Sequence, residues 1–271
     1  MARNIEQELA TLIDSVQQAG ARVRELVRDG FEVQTKADHS PVTTVDHEVN
    51  RILYDMQRRE FPSDGWLSEE SPDDLARLDN DRVWIIDPID GTRALVNRVP
   101  EFCISAALIE RGVPIVAAIL NPSTDELFTA VRGGGLFLNG SRVTLLSLHD
   151  FDPVIMVGAR EFRIDRWATL AETSRCRPMY SIAHALALVA AGRVQAAFTI
   201  DPEHEWDVAA GVLLIEEGGG TISDGAGKPF VFNQPLPTFS GVISVAATAD
   251  KDLRAKLQIH AEQARLRPER K

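Results

Sequence analysis

The sequence predicts a mixed α/β (α+β) fold in which helices, a β-rich sheet, helices, a second sheet and helices follow one another along 271 residues. Three observations predict it. Near the N-terminus, apolar residues recur at three- and four-residue steps, the helical period. Between Glu101 and Val131 the pattern changes to alternating or continuous apolar runs cut by turn signals. Beyond Val154, short apolar strands alternate with apolar helices that end in glycine.

The first element is an amphipathic helix from about residue 4 to residue 28, with Ile5, Leu9, Leu12, Val16, Ala19, Val23 and Leu26 on one face and Gly30 after its end. Lys36 to Asp46, polar and broken by Pro41, reads as a loop entering a second helix. That helix buries Val45, Val49, Ile52, Leu53 and Met56 and ends near Phe61 and Pro62. Asp46 falls in its first turn, where the helix dipole favours a carboxylate. Gly65 to Ser71 is a short apolar approach stopping at Glu69 and Glu70, and Asp73 to Arg82 reads as a surface excursion. Val83-Trp84-Ile85-Ile86 is a buried strand that ends in Asp87 and Pro88, since proline lacks the N–H a ladder needs.

Strands are expected over Cys103–Ile109, Val113–Leu120 and Glu126–Val131, with a hairpin around Gly133-Gly134-Gly135 and Asn139-Gly140. The three glycines are a turn rather than a phosphate loop, because no Lys-Ser or Lys-Thr follows and no helix begins there. Val154–Gly158 reads as a strand, Asp165–Thr173 as a helix, and His184–Ala191 as a short apolar helix stopped by Gly192. Next come a strand Ala196–Ile200, a helix Asp207–Glu217 ended by Gly218-Gly219-Gly220, and strands Thr221–Ser223 and Val242–Ala247. A polar helix Leu253–Ala264 follows, then a basic tail from Arg265 to Lys271. With no internal repeat or low-complexity linker, residues 1–271 are expected to form one catalytic unit. Its approximate lobes are 1–150, with the metal-site motifs, and 151–271, with Asp207 and substrate contacts.

Hydrophobic content of 44% and charged content of 25% are those of an ordinary soluble globular chain. A formal net charge of −11 argues against a nucleic-acid polymer or an anionic membrane surface as partner. It leaves small anionic substrates open, because bound cations reverse the sign of a local site. Cys103 and Cys176 are the only cysteines, so no disulfide framework is indicated and a reducing cytoplasm is expected. The acidic N-terminus lacks the apolar core of a signal peptide, and no run reaches transmembrane length.

The chemistry concentrates where apolar elements stop. Glu69, Glu70, Asp87, Asp90 and Asp207 all sit at element boundaries, with no Lys or Arg between Val83 and Thr92. Carboxylates at the mouth of an apolar strand are costly to desolvate without a neutralising partner. A divalent cation is the simplest partner, and hard oxygen ligands suit Mg²⁺ or Mn²⁺. Each taken singly also reads as a turn or helix-start carboxylate, Asp87 and Asp207 included.

Three motifs in order carry a resemblance: Glu69-Glu70-Ser71, then Trp84-Ile85-Ile86-Asp87-Pro88-Ile89-Asp90-Gly91-Thr92, then Trp206-Asp207-Val208-Ala209-Ala210-Gly211. The chain resembles the inositol monophosphatase superfamily from Lys36 to Gly220. The resemblance implies a layered αβαβα sandwich, as in inositol monophosphatases and fructose-1,6-bisphosphatases. It also implies Mg²⁺-dependent, lithium-sensitive hydrolysis of a small phosphorylated substrate, and a homodimer. Carried over by position, it implies that Glu69, Asp87 and the carbonyl of Ile89 hold one metal. Asp87 bridges to a second, completed by Asp90 and Asp207, and a third leans on Glu69 or Glu70. Thr92, paired with Asp46 and assisted by Glu69, would orient and help deprotonate the attacking water. The amides of Gly91, Thr92 and Arg93 would face the phosphate if a helix starts there.

For substrate, Lys36-Ala37-Asp38-His39-Ser40-Pro41-Val42-Thr43 and Leu67-Ser68-Glu69-Glu70 are similar to bacterial 3'(2'),5'-bisphosphate nucleotidases, which remove the 3'-phosphate of adenosine 3',5'-bisphosphate. Inositol phosphatases tend to carry a glutamate seven residues before the Trp-Asp aspartate, and that position here is Ile200, with Asp201 alongside. Nucleotidases often show Gly-Ser-x-Leu-Lys before the short helix, whereas this chain has Tyr180-Ser181-Ile182-Ala183-His184. Ser181, His184, Asp207 and Arg93 are therefore the expected substrate contacts, with His184 in place of the lysine or only a residue at the helix start. A nucleotide bisphosphate is the first expected substrate and inositol-1-phosphate or another polyol or sugar phosphate the alternative. A non-catalytic metal- or phosphate-binding protein, or a structural Ca²⁺ site, is the reading of a different class.

Overall fold

The computed structural model describes residues 4–145, 154–163 and 175–266. The expected helix Asp165–Thr173 and the end of the basic tail lie outside them. The elements alternate as the sequence predicts: two helices, a seven-stranded sheet, two apolar helices, a five-stranded sheet and an outer layer of helix.

Helices α1 (Ile5–Asp29) and α2 (Thr44–Glu60) cover one face of the first sheet. Asn4 caps α1 by accepting from the Glu6 amide, and α2 opens on a capping box between Thr43 and Asp46. The sheet runs in the order β3 (Gly65–Ser68), β4 (Arg82–Asp90), β5 (Cys103–Glu110), β6 (Val113–Asn121), β7 (Glu126–Val131), β8 (Gly135–Leu138) and β9 (Ser141–Arg142). Only β3 and β4 are parallel. Both of its faces are buried. Trp84 and Ile86 of β4 enter the α1–α2 core, while Val83 and Ile85 enter the core on the opposite side, as the two-residue period requires.

That second core contains α5 (Ile182–Ala190) and α6 (Glu205–Glu217), apolar nearly all round and enclosed between the sheets. A Cβ on Gly211 would fall 2.4 Å from Leu186 Cδ1, so glycine in the Trp-Asp motif lets α6 approach α5. The second sheet has the order β11 (Arg175–Met179), β10 (Val154–Gly158), β12 (Ala196–Thr199), β16 (Val242–Val245) and β14 (Thr221–Asp224), with the first three parallel. Helix α7 (Leu253–Leu266) packs on its outer face, beyond short α4 (Ala159–Arg163) at the end of β10.

The structure departs from the sequence expectations at several places. Residues 36–46 are not simply a loop, because β1 (Val33–Thr35) and β2 (Pro41–Thr43) pair as a hairpin leading into α2. The stretch Asp73 to Arg82 is anchored rather than superficial. It forms a 3-10 turn at Ala76–Asp79 that buries Arg77, whose guanidinium binds Asp73, Asn233 Oδ1 and the Gln234 carbonyl. Strand β4 does not stop at Asp87 but continues to Asp90. Asp87 opposes Ser105 and Asp90 opposes Cys103, three residues against two, so β4 carries a bulge that accommodates Pro88. The two apolar helices begin two residues earlier than expected, at Ile182 and Glu205. Gly133-Gly134-Gly135 forms the expected turn, and the amides of Gly133 and Gly135 hold the Glu217 carboxylate at 2.7 Å each.

Candidate metal and phosphate site

The bulge makes the site. In a regular strand, residues three apart face opposite sides of the sheet; the extra residue between Asp87 and Asp90 re-aims both carboxylates toward one point. Ligand oxygens of Asp87, Asp90 and Asp207 lie within 4.8 Å of one another. Asp207 arrives from the far half of the chain, at the third residue of α6, where its Oδ2 accepts from the His204 amide at 2.6 Å.

Asp90 is steered by α5. Ser181 caps that helix, donates its hydroxyl to Asp90 Oδ2 at 2.6 Å and accepts from the His184 amide at 3.0 Å. The Ala183 amide donates to the same Asp90 oxygen at 2.6 Å. Asp87 is 1% exposed, and its Oδ1 has no hydrogen-bond partner among the described residues.

Crowding shows in the proton affinities. Burial first, then the charges of Glu69, Asp90 and Asp207, pushes the Asp87 carboxyl well above the usual range. Burial and Asp207 push Asp90 up to about 8. Burial raises Glu69 to about 6 against the opposing pull of Lys36. A cluster that holds its protons this firmly, with a buried oxygen left unbonded, is a donor set that a divalent cation fits.

Glu69 and Glu70 follow β3. Lys36 Nζ, from the loop between β1 and β2, lies 2.8 Å from Glu69 Oε1 and 2.5 Å from Glu70 Oε1. This corrects the expectation that the acidic boundaries lack a basic neighbour. Between Val83 and Thr92 none exists, yet one is folded in from outside that stretch. Burial opposes the Lys36 charge, but the two glutamates more than offset it and raise its pKa.

Thr92 and Asp46 are brought together as expected: Thr92 Oγ1 lies 3.0 Å from Asp46 Oδ1 and 3.0 Å from the Ile89 carbonyl. Asp46 is fully buried, and its Oδ2 accepts from the Thr43 amide at 2.8 Å and the Thr43 hydroxyl at 2.6 Å. Burial raises its pKa while the Thr43 and Thr92 bonds pull it back. Gly91 begins the short helix α3 (Thr92–Val96) at φ +91°, and a Cβ there would press to 3.0 Å from the Glu101 carbonyl.

The remaining substrate candidates divide. Ser181 is buried on Asp90, and Arg93 is exposed on α3. His184 is also buried, its Nε2 3.4 Å from Asn121 Nδ2, and burial lowers its pKa. Reading from sequence alone missed three neighbours. Lys36 is one. His204 is another; its ring stacks on Trp206 at 4.5 Å between centroids and its Nδ1 lies 3.5 Å from Asp207 Oδ2. The third, Glu203, feels the charges of Asp207 and Asp90. Its signal was its place four residues before the Trp-Asp aspartate.

Comparison with known proteins gives the family and the fold. Residues 4–263 match the inositol monophosphatase family. The Nus factor SuhB of Escherichia coli (strain K12) is 37% identical over 208 residues, covering 73% of this chain and 77% of that one. The inositol-1-monophosphatase of Rhizobium meliloti is 35% identical over 237 residues, covering 82% and 87%. Among solved structures, the Thermotoga maritima IMPase superposes with a TM-score of 0.83 at 27% identity, over 95% of this chain and 98% of that one.

Proposed function

The chain belongs to the inositol monophosphatase family and is a phosphoric monoester hydrolase, and from that premise we propose that it is a Mg²⁺-dependent phosphatase of small polyol or inositol monophosphates. The observation that carries the reading is the convergence of Asp87, Asp90 and Asp207 beside the Thr92–Asp46 pair. Asp87, Asp90, Asp207, Glu69 and the Ile89 carbonyl would hold two ions, with Glu70 nearest a third, and Mn²⁺ would serve in place of Mg²⁺. Bound Mg²⁺ offsets charge on the phosphoryl oxygens and makes water more acidic.

In the reaction, a water oxygen bonds to phosphorus as the ester P–O bond breaks. The water's proton passes to Asp46 by way of Thr92, or to Glu69. The departing alkoxide takes a proton from a second water to leave as the alcohol, the hydroxide so formed being neutralised by the proton that Asp46 or Glu69 releases. Asp46 suits this task because its charged form is buried yet held by donors. The amides of Gly91, Thr92 and Arg93 would position the phosphate, with Ser181 and His184 completing the pocket wall.

Adenosine 3',5'-bisphosphate is the second reading, favoured by the Lys36–Thr43 motif. Polyol monophosphates come first because a curated relative at 35% identity is named for inositol-1-phosphate hydrolysis. The two lobes would act as one catalytic unit, in a homodimer, within the cytoplasm; Cys103 and Cys176 form no disulfide, and among the described residues no helix is long and apolar enough to cross a membrane. Phosphate release from inositol-1-phosphate, glycerol phosphate and adenosine 3',5'-bisphosphate, each with Mg²⁺ and with or without lithium, tests the reading. Mg²⁺-dependent, lithium-sensitive turnover fastest on the first two is expected. Release from none would leave a binding protein or a structural ion site, and release from the nucleotide alone would exchange the two readings.

A further inference from the structure

A cavity of about 670 Å³ opens where α2 passes β3, the edge strand of the first sheet, and the 3-10 turn at Ala76–Asp79. It shares no residue with the acidic cluster, nor with the two-stranded ribbon of β13 (Glu203–His204) and β15 (Thr238–Phe239) that leads into α6. Its volume is that of a small-molecule site.

Three features of its lining specify a ligand. The first is aromatic. Tyr54 of α2 and Trp66 of β3 meet edge to face with ring centroids 5.2 Å apart, and Tyr54 is 41% exposed. Such a pair offers a surface to a third planar ring. The second is positive charge. His47, Arg51, Tyr54 and Arg58 recur at three- and four-residue steps, so they form one stripe of α2, and all four line the cavity. Arg51 is held by Glu48 and Asp55, 2.8 and 3.0 Å away, whereas Arg58 pairs with no carboxylate among the described residues. The two acids of the lining already accept hydrogen bonds within the protein, Asp64 Oδ2 from Trp84 Nε1 at 3.2 Å and Asp74 Oδ1 from the Ala76 amide at 3.0 Å.

The third feature is an unused acceptor. Gln57 lines the cavity and is 1% exposed. Its Nε2 donates to the Phe61 and Asp64 carbonyls at 2.8 Å each, which fixes the orientation of the amide. Its Oε1 has no hydrogen-bond partner among the described residues. A buried acceptor left unpaired is costly unless a donor reaches it.

The cavity also backs the turn that carries Glu69 and Glu70. Trp66 Nε1 donates to Ser71 Oγ at 3.1 Å, and Asn50 Nδ2 donates to that hydroxyl at 3.1 Å and to the Glu70 carbonyl at 3.4 Å. Trp66, Asn50 and Ser71 all line the cavity, so an occupant packed on the indole braces this turn.

We propose that the cavity is a regulatory site for a small aromatic acid that carries an N–H or O–H donor, with its ring against Tyr54 and Trp66, its carboxylate at Arg58 and its donor on Gln57 Oε1. Occupancy holds Trp66 on Ser71 and thereby strengthens Mg²⁺ binding at Glu69, and linkage makes the effect reciprocal. The binding site stands on the cavity alone, while its effect on Mg²⁺ rests on the metal-dependent phosphatase reading.

The probe is indole-3-acetate, which has the ring, the charge and the donor. Calorimetry on the full chain without Mg²⁺ should show saturable one-to-one binding. Indole-3-acetamide, which lacks the charge, and Arg58→Glu should each weaken binding about tenfold, the scale of a hydrogen bond to a charged group. Naphthalene-1-acetate, which lacks the donor, and Tyr54→Ala should each weaken it about fivefold. Cyclohexylacetate, which lacks the aromatic ring as well, should bind more weakly than naphthalene-1-acetate. Tyr54 and Arg58 are exposed, so both variants should keep the parent's Tm; if either unfolds, the order of the four probes on the wild type decides. No binding of indole-3-acetate at millimolar concentration, or equal affinity in Arg58→Glu, would overturn the site. With the probe saturating, Mg²⁺ should bind about fivefold tighter. Unchanged Mg²⁺ affinity would overturn the regulatory role and leave the binding site. Probe binding by a protein that releases phosphate from no substrate would overturn the phosphatase reading and leave the site.

Discussion

Two helices of this protein begin with an aspartate at the third position whose carboxylate reaches back to the amide of the residue before the helix, and the two aspartates do different work. Asp46 of α2 is fully buried, with Oδ2 on Thr43 and Oδ1 on Thr92. Asp207 of α6 accepts from the His204 amide at Oδ2, and its carboxylate also joins Asp87 and Asp90. Local sequence makes the two alike, since both are acidic first-turn residues favoured by the helix dipole. What separates them is how many donors each oxygen already serves. Asp46 has both oxygens occupied and is left to orient a hydroxyl and accept a proton; Asp207 keeps coordination capacity for a cation.

The comparison breaks most sharply at the metal. Asp207→Asn, which keeps shape and loses charge, is expected to lower kcat/KM by a hundred- to a thousandfold, about the size of a lost metal-derived stabilisation. It should also weaken Mg²⁺ binding measured by calorimetry. Thr92→Ala is expected to lower kcat about a hundredfold, the scale of general acid–base help, with Mg²⁺ affinity unchanged. Equal loss of Mg²⁺ affinity in both variants would mean that the two aspartates do not differ in the way their donor counts indicate.

Much of this was legible in the sequence because burial leaves a period. The helices at the N-terminus and the strands from Cys103 to Val131 follow their apolar residues closely. Asp87 and Asp90 stood out as charge at the end of an apolar run. The bulge that joins them did not, because it exists only against the register of β5. Strand β11, reading Arg-Cys-Arg-Pro-Met, has no alternation and carries Pro178, and it is found at a sheet edge, where proline is tolerated. Lys36 was hidden because it lies in a polar stretch, and only the tertiary fold brings it to Glu69.

The cluster also sets a pH dependence. Asp90 moves from an ordinary 3.8 to about 8 and Glu69 from 4.5 to about 6, burial being the first cause in each. For acids raised on folding, the native state holds more protons than the unfolded chain between the two values, so stability falls as pH rises. The contribution is complete below about pH 4 and is lost through pH 6 and then pH 8. Chelated protein is therefore expected to melt lower at about pH 8.5 than at about pH 5.5, and Mg²⁺ should raise Tm more at the higher pH. Asp90→Asn should flatten that slope. A slope unchanged by Asp90→Asn would remove Asp90 as its source.

The smallest expected effect separates the two helix starts without touching a metal ligand. Thr43 Oγ1 accepts from the Val45 amide at 3.0 Å while donating to Asp46, and the whole arrangement is buried. Thr43→Ala removes both bonds and should cost about 1 kcal/mol of stability, or about 2–4 °C in Tm for a chain of this size. Asp46 keeps its bonds to the Thr43 amide and to Thr92 in that variant, so the rate should fall far less than in Thr92→Ala. His204→Ala keeps the backbone amide that holds Asp207, and the ring it removes is exposed. Its stability should stay within about 0.5 kcal/mol of the parent. If the His204 change costs as much as the Thr43 change, then α6 depends on its cap as heavily as α2 does, and Asp207 is bound into the fold as tightly as Asp46.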